Sequence, residues 1–203
     1  MDAETWDERY RSSELVWSAG PNQFVESELE GLPPGRAVDL AAGEGRNEIW
    51  LARQGWRVTA VDYAQAGLDK GRTIAGDLAV DWVCADATTW RGEGYDLCVI
   101  AYLQLVADQR RAAVRNAYAS LRIDGTFFLI AHDTTNLTEG TGGPTDAAVL
   151  MTAEDVLADL AGESFEVLRA ERVAREVGAP GHVHDAEPTA TAYDCLVHLV
   201  RRA

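Results

Sequence analysis

Three aspartates in the first half of the chain each lie at the end of a short apolar run. The runs have the length and apolar content of buried strands. Ligands of parallel sheets bind at the edge where the carboxyl ends of the strands meet. One acid at a strand end can be a solvated turn residue, but three acids together with a Gly-x-Gly turn predict a ligand site. The acids and their segments are Asp39 in AVDLAAGEGRN, Asp62 in RVTAVD and Asp86 in VDWVCAD.

The glycine turn after Asp39 does not have the pattern of a triphosphate-binding loop. Such a loop needs a lysine and then a serine or threonine directly after its second glycine. Arg46 and Asn47 follow Gly45 here, and the sole lysine of the chain is the distant Lys70. The turn is therefore not predicted to hold a triphosphate.

The turn also departs from the dinucleotide pattern Gly-x-Gly-x-x-Gly. Gly43 and Gly45 supply the first two glycines, but Glu48 stands where the third is needed. Asp39 would also place a carboxylate near a pyrophosphate that is itself negatively charged. A nicotinamide-dependent oxidoreductase, in which Asp62 would bind the ribose, is therefore the less favoured alternative.

A cationic ligand without phosphates fits these residues better. S-adenosylmethionine carries a sulfonium, an ammonium, a ribose and an adenine. Gly43 and Gly45 let the backbone approach such a ligand closely because they lack a Cβ atom. Asp39 is predicted to face the positively charged methionine part, Asp62 to accept both ribose hydroxyls, and Asp86 to accept the adenine amine.

The elements around these acids alternate between strands and helices up to residue 131. This alternation requires a mostly parallel sheet with helices on both faces. We therefore predict an α/β fold, with a doubly wound, mostly parallel, seven-stranded Rossmann-like sheet and an antiparallel hairpin at its C-terminal end. The predicted strands are 37–40, 57–62, 80–86, 95–101, 126–131, 165–177 and 190–202; the helices are 22–31, 47–54, 64–75, 109–121 and 153–160, with a turn at 123–125 and Thr152 as a helix cap.

Residues 1–203 are predicted to form a single domain, since this length supports one substantial core. Residues 1–35 are expected to cover the cofactor and the substrate, and residues 36–131 to bind the cofactor. Residues 132–203 are expected to supply a substrate-side loop and the C-terminal hairpin. The stretch 132–150 is too polar and glycine-rich for a core element, which favours an opening and closing lid.

The composition limits the partners of the protein. A formal net charge of -15 and a pI near 4.6 disfavour nucleic acids and anionic membrane surfaces, so a small-molecule substrate is expected. No apolar run has the length of a membrane span and the N-terminus does not resemble a signal peptide, which predicts a cytoplasmic protein. The expected assembly is a monomer or a homodimer. Cys84, Cys98 and Cys195 are predicted to be buried free thiols.

The motifs resemble those of the class I S-adenosylmethionine-dependent methyltransferases over nearly the full length of the chain. VDLAAGEGRN resembles the first motif of that family, VTAVDY its second-strand acid motif, and CADATTW its adenine-contact motif. YDLCVIAYLQL and DGTFFLIAH resemble its fourth and fifth strands. GEGRN combined with an N-terminal WDERY is similar to the tellurite-resistance and thiopurine methyltransferase branch, whose members methylate small, often soft nucleophiles.

The resemblance implies that the protein binds S-adenosyl-L-methionine and methylates a small molecule at a soft sulfur, selenium or tellurium atom or at a phenolic oxygen. It also implies that aromatic residues before the first strand fold over the cofactor, although an N-terminal helix that docks its aromatic residues into the core is an alternative. The cofactor-binding residues that it implies are Trp6, Tyr10, Trp17, Asp39, Ala41, Gly43, Gly45, Arg46, Asp62, Tyr63, Asp86, Ala87 and Ala101.

Two positions depart from the family pattern. Ala41 occupies the place where the first motif usually begins with glycine, and Gln104 the place where relatives often carry a histidine. A non-catalytic protein that binds S-adenosylmethionine or S-adenosylhomocysteine therefore remains an alternative.

His132, directly after the fifth strand, is the candidate general base. A histidine exchanges protons readily near neutral pH, and Asp133 lies beside it in the sequence. No metal site is expected, because Ala101 and Tyr102 follow the fourth strand where a metal-dependent enzyme would need carboxylates. His182 and His184 lie in a loop whose composition favours solvation over metal binding.

Overall fold

The computed structural model describes residues 2–16, 20–177 and 190–203. Seven strands and eight helical segments are assigned within these ranges. The strands are β1 (Arg36–Leu40), β2 (Arg57–Asp62), β3 (Val80–Cys84), β4 (Tyr95–Ala101), β5 (Leu121–His132), β6 (Phe165–Val177) and β7 (Ala190–Arg201). The helices are α1 (Ala3–Ser12), α2 (Gln23–Leu29), α3 (Arg46–Arg53), α4 (Gln65–Ala75), α5 (Ala107–Ser120), α6 (Asn136–Glu139), a 3₁₀ helix (Ala147–Val149) and α7 (Ala153–Asp159).

The strands form one sheet in the order β3-β2-β1-β4-β5-β7-β6. Strands β1 to β5 pair in parallel, and β7 is antiparallel to both β5 and β6. The predicted fold class is therefore confirmed, including the C-terminal antiparallel pair. The predicted loop between β6 and β7, residues 178–189, lies outside the described residues.

Side chains that alternate along the strands pack on both faces of the sheet. One cluster joins Val38 and Ile100 to Val114 of α5 and Val156 of α7. The other cluster joins neighbouring strand positions to side chains of α2 and α3. This two-sided burial explains why the central strands are continuous apolar runs, and it makes Asp39, on β1, an exception that the site must explain.

Side chains cap the N-termini of α7 and α2, and the cap of α7 was predicted. The side chain of Thr152 accepts from the Asp155 backbone N–H, and the Asp155 carboxylate accepts from the Thr152 N–H, which confirms Thr152 as the cap of α7. Asn22 caps α2 in the same way, by accepting from the N–H groups of Phe24 and Val25.

The prediction that the fifth strand begins after a turn at 123–125 is wrong. These residues lie inside β5, whose pairing with β4 shifts register between Tyr95 and Leu97. Asp124 has a φ of 64°, so the turn residues form an irregularity within a longer strand.

Two further predictions are corrected. Cys84 is exposed rather than buried, because β3 is the edge strand of the sheet, whereas Cys98 and Cys195 are buried as predicted. The stretch 132–150 is not wholly irregular, since it contains α6 and the 3₁₀ helix.

Across the part of the chain that is described, no helix is long and apolar enough to span a membrane.

Candidate functional site

The glycine turn between β1 and α3 is a tight backbone loop held against β2. The N–H groups of Ala41 and Ala42 both donate to the carbonyl of Val61, at 2.8 and 3.1 Å. Ala41, Gly43 and Gly45 all have positive φ angles, of 83°, 58° and 80°. Glycine adopts this region without strain, whereas alanine does not. The structure thus gives a physical reason why glycine is usual at position 41.

Glycines also let neighbouring elements pack closely on this turn. A Cβ atom on Gly45 would lie 2.3 Å from the ring of Trp82. On α4, a Cβ atom on Gly67 would lie 3.0 Å from the carbonyl oxygen of Gly43, and one on Gly71 would lie 2.4 Å from Trp82. The turn is therefore clamped by α4 and β3, which fixes its shape before any ligand binds.

Asp62 closes the turn through its side chain. One carboxylate oxygen accepts from the Gly43 N–H at 2.9 Å, and the other accepts from the Ala64 N–H at 2.8 Å. Asp62 is buried, and burial raises the pKa of its carboxyl group, to which the charge of Asp7 adds. The sequence did not reveal this closing role. The predicted contact with ribose hydroxyls stays a prediction, which the remaining lone pairs of the carboxylate allow.

Asp39 and Glu48 bring two carboxyl groups together in the interior. Both residues are 0% exposed, and no oxygen of either side chain has a hydrogen-bond partner in the described structure. Burial raises the pKa of Glu48 well above its usual value, and the charge of Asp39 raises it further. Burial also raises the pKa of Asp39, although contacts with Glu48 and Asn47 oppose the shift. In the sequence, Glu48 marks only the absence of a third glycine, so its pairing with Asp39 is visible only in the structure.

Asp86 begins a turn two residues beyond the end of β3. Its carboxylate accepts from the N–H and the hydroxyl of Thr88, and the residue is exposed. Ala87, which follows, is buried, and its carbonyl accepts from the side chain of Asn116. The turn is therefore anchored to α5, and the predicted adenine contact of Asp86 stays a prediction.

Helix α1 lies against α4 beside the glycine turn. The rings of Trp6 and Tyr10 stack with centroids 5.5 Å apart, and Tyr10 is buried. Asp7 accepts from the Ala66 N–H at 2.8 Å, and the Tyr10 ring reaches the position that a Cβ atom on Gly67 would occupy. This placement agrees with both a covering role for the aromatic residues and simple core docking. Trp17 lies outside the described residues.

The segment after α1 is tied to the turn by Glu44. Its buried carboxylate lies 3.1 Å from the ammonium of Lys70 and accepts from the Val16 N–H at 2.9 Å. Lys70 also donates to the carbonyl of Ser13. The sole lysine of the chain therefore links α4, the turn and the N-terminal segment, a role that its isolation in the sequence did not reveal.

The other predicted cofactor residues lie at the same edge of the sheet. Arg46 is the first residue of α3, and burial lowers the pKa of its guanidinium. Tyr63 follows β2, and burial together with the charge of Asp62 raises the pKa of its phenol to about 12. Ala101 is the last residue of β4. The carboxyl ends of β1, β2 and β4 thus place these side chains around the turn.

His132, the last residue of β5, faces a buried acid on the neighbouring antiparallel strand. Its Nδ1 atom lies 3.2 Å from Oδ1 of Asp194, which is its register partner on β7. Asp194 is 0% exposed and also accepts from Tyr102 at 2.9 Å and from Arg175 at 2.7 Å. Although burial opposes it, contacts with His132 and Arg175 hold the pKa of Asp194 below its usual value. The acid is therefore ionised.

The expected neighbour of His132, Asp133, has a different role. Its carboxylate accepts from the N–H and the hydroxyl of Thr135 and so starts the following loop. The ring of Tyr102 lies 4.9 Å from the ring of His132, and Gly143 of the same loop lies so close that a Cβ atom there would be 3.0 Å from the imidazole. His132 is thus held between β4, β7 and the loop.

Gln104 is also part of this arrangement. With its amide oriented to satisfy both neighbours, it donates to the carbonyl of Val149 and accepts from the backbone N–H of His132, at 2.6 and 2.8 Å. The departure from histidine at this position therefore supports the backbone of the candidate base. No cluster of three or more metal-ligating side chains occurs among the residues that the structure describes.

Comparisons with known proteins agree with this architecture. Residues 37–125 match the methyltransferase domain family. Over 80 residues the chain is 38% identical to a demethylmenaquinone methyltransferase of Clavibacter sepedonicus, an alignment that covers 37% of this chain and only about a third, 33%, of that relative.

Solved structures of low identity share the fold. The N-methyltransferase NodS from Bradyrhizobium japonicum WM9, solved in complex with S-adenosyl-l-homocysteine, superposes with a TM-score of 0.74 at 16% identity and 100% coverage of both chains. TehB from Haemophilus influenzae superposes with a TM-score of 0.70 at 17% identity, with 90% of this chain and 63% of that chain covered.

Residues 37–125 are thus similar to a methyltransferase domain, and the fold is the one that the chain shares with NodS and TehB, as the motifs predicted. The cofactor expected of such a domain is S-adenosylmethionine. The matched segment runs from β1 into β5 and contains the glycine turn and all three acids, so the comparison covers the cofactor-binding half of the site.

Proposed function

We propose that the protein transfers a methyl group from S-adenosylmethionine to a small-molecule acceptor. The observation that carries the proposal is the buried pair of Asp39 and Glu48 beneath a methyltransferase-type glycine turn. Four buried carboxylate oxygens without partners suit a cationic ligand, and they oppose the pyrophosphate of a nicotinamide dinucleotide. The residues present therefore fit the implied cofactor.

The residues that we propose to bind the cofactor lie at or near the edge of the sheet where the parallel strands end. Gly43 and Gly45 would allow the backbone to approach the ligand, and Asp39 would attract its positively charged methionine part. Asp62 would accept the ribose hydroxyls, and Asp86 with Ala87 would border the adenine. Trp6, Tyr10, Trp17, Ala41, Arg46, Tyr63 and Ala101 complete the proposed set.

His132 is the proposed general base. When bound, the cofactor supplies a methyl carbon that is already activated for in-line displacement, so the protein has to align the acceptor and remove its proton. Asp194 faces Nδ1 of His132, which leaves Nε2 as the atom that can take a proton from the acceptor. The ionised Asp194 would then stabilise the imidazolium that forms, in the manner of a base-orienting carboxylate.

A general base that is fixed in position, as His132 is, favours acceptors that must lose a proton. Among the predicted acceptors, thiols and phenols meet this condition, whereas oxyanions of selenium or tellurium do not. We therefore propose a small thiol or phenol as the substrate class, and membership of the tellurite-resistance and thiopurine branch, for which the fold shared with TehB is the supporting observation.

A methylation assay tests the proposal. Wild-type protein is incubated with S-adenosylmethionine and a panel of thiols and phenols, and methylated products are detected by mass spectrometry. We expect turnover of at least one acceptor, with a pH profile whose acidic limb disappears in His132→Gln. Cofactor binding without turnover of any acceptor would contradict the assigned chemistry and favour a non-catalytic binder. Turnover with an unchanged pH profile in His132→Gln would instead contradict the role of His132 as the general base.

A further inference from the structure

The Asp39 and Glu48 carboxyl groups lie close enough in the interior for each to shift the pKa of the other. Asp39 lies on the central strand β1, between β2 and β4, and Glu48 lies in the first turn of α3. Both side chains are fully buried, and all four of their oxygens lack hydrogen-bond partners within the described ranges. A proton held between the two groups would satisfy oxygens that the protein otherwise leaves without a donor.

Two ionised carboxylates in such a contact would be strongly unfavourable. Burial removes the hydration of both groups, and each charge repels the other. Two carboxyl groups in contact therefore share a proton and ionise in two separate steps. A pair that shares one proton carries one negative charge rather than two.

The charged groups around the pair come from several elements. Asp62 on β2 adds negative charge, and Asp7 on α1 adds to the charge around Asp62. Arg46 on α3 offsets part of it and also interacts with Tyr102 and Arg175 from the acceptor side. Burial, and with it the charge of Asp39, raises the pKa of the Cys98 thiol on β4. The balance of these groups is acidic, so an added positive charge would favour ionisation of the pair.

We propose that Asp39 and Glu48 share one proton in the free protein and release it to solvent when S-adenosylmethionine binds. This inference rests on the proposed cofactor site. The bond that breaks is the O–H bond of the shared proton, and the pair gains one negative charge while the site gains the positive sulfonium. S-adenosylhomocysteine lacks the sulfonium, so its binding releases less of the proton. The pair therefore makes discrimination between cofactor and product dependent on pH.

Calorimetry measures the proton release directly. Wild-type protein is titrated at pH 7 with S-adenosylmethionine and with S-adenosylhomocysteine, each in phosphate and in Tris buffer, whose enthalpies of ionisation differ. The difference in binding enthalpy between the buffers gives the number of protons released. We expect release with S-adenosylmethionine and a smaller value with S-adenosylhomocysteine. For a difference of about half a proton, linkage predicts that the affinity ratio of the two ligands rises ~3-fold per pH unit.

A variant assigns the proton to the pair. Glu48→Gln supplies an amide donor to Asp39 and removes one acid, so it should bind S-adenosylmethionine with the same enthalpy in both buffers. Glu26→Gln, which changes an exposed glutamate of α2, is the matched control and should behave as the wild type.

Two results would overturn the inference while leaving the proposed function standing. One is S-adenosylmethionine binding to the wild type with the same enthalpy in both buffers, which needs no variant to interpret. The other is unchanged proton release in Glu48→Gln. Failure of the wild type to bind either ligand would instead overturn the proposed function itself, together with this inference.

Discussion

The two halves of the site are built on different length scales. In the proposed cofactor half, the glycine turn and the acid that supports it are close in sequence. The Gly43 N–H donates a hydrogen bond to Asp62, which is only 19 residues away. In the proposed acceptor half, the Tyr102 hydroxyl donates a hydrogen bond to Asp194, which is 92 residues away in the sequence. The first half is an arrangement of neighbouring strand ends, and the second is made by the antiparallel pairing of β7 with β5. The comparison indicates that ligand binding and proton removal can be altered separately.

The largest effect is expected in the acceptor half, from Asp194→Asn. Loss of the carboxylate removes the charged group that faces Nδ1 of His132, and it leaves Arg175 and Tyr102 with only a neutral amide oxygen as acceptor. We expect kcat for methyl transfer to fall by ~100-fold, as for loss of general-base function. The affinity for S-adenosylhomocysteine should change little.

Steady-state kinetics and calorimetry on the same preparation check this separation. Glu176→Gln on the exposed side of β6 is the control and should retain wild-type kcat. A loss of S-adenosylhomocysteine affinity as large as the loss of kcat would show that the two halves are not separable.

A change at the glycine turn should have the opposite signature. Gly45→Ala forces a Cβ atom to within 2.3 Å of Trp82 at a φ of 80°. The strain should cost about 1–3 kcal/mol of unfolding free energy and weaken S-adenosylhomocysteine binding. Gly162→Ala is the matched control, because its φ is 95° but nothing lies within 4 Å of the added atom. Urea denaturation measures the loss of stability in each variant, and calorimetry measures the loss of S-adenosylhomocysteine binding. Equal effects of the two variants on binding would contradict the inference that α4 and β3 fix the shape of the glycine turn.

The buried acid pair should show its effect in the pH dependence of stability. The raised pKa of folded Glu48 means that its contribution is fully present below the unfolded value of about 4.3 and is lost as the pH rises towards the folded value. Glu48→Gln should therefore match the wild type near pH 4 and exceed it by an amount that grows with pH, to more than ~1 kcal/mol near pH 8. Thermal unfolding of both proteins across that range measures the gain, and a gain that shrinks with rising pH would refute the assignment.

The smallest expected effect comes from Ala41→Gly. Alanine at a φ of 83° is strained, whereas glycine is not, although glycine adds entropy to the unfolded chain. The net result should be a stabilisation of ~0.5 kcal/mol, measured by urea denaturation. Destabilisation instead would mean that the methyl group of Ala41 makes contacts that outweigh the strain.

The same contrast explains how much the sequence could predict. The strands that carry Asp39 and Asp62, and the segment around Asp86, were predictable because apolar runs and the acids that follow them are local patterns, although β3 ends two residues before Asp86. Asp194 also stands out as an acid in an apolar strand, but its partner depends on the register of β7 against β5, which no local pattern specifies. His132 was predicted from its position, whereas its partner was not.

Glu48 shows a second limit of prediction. Its sequence position marked the absence of a third glycine, but its contact with Asp39 depends on the rotation of α3 over β1. A fully buried glutamate in the first turn of a helix has no distinct sequence pattern, since acids are common there for the helix dipole alone. Pairing of buried charges therefore had to come from the structure.

Calorimetric titration with S-adenosylhomocysteine tests the division of the site most directly, with wild type, Asp62→Ala and His132→Ala compared and NADH titrated as the control ligand. We predict binding of S-adenosylhomocysteine to the wild type and to His132→Ala, loss of binding in Asp62→Ala, and no binding of NADH. Binding of NADH, or equal loss of S-adenosylhomocysteine binding in both variants, would contradict this prediction.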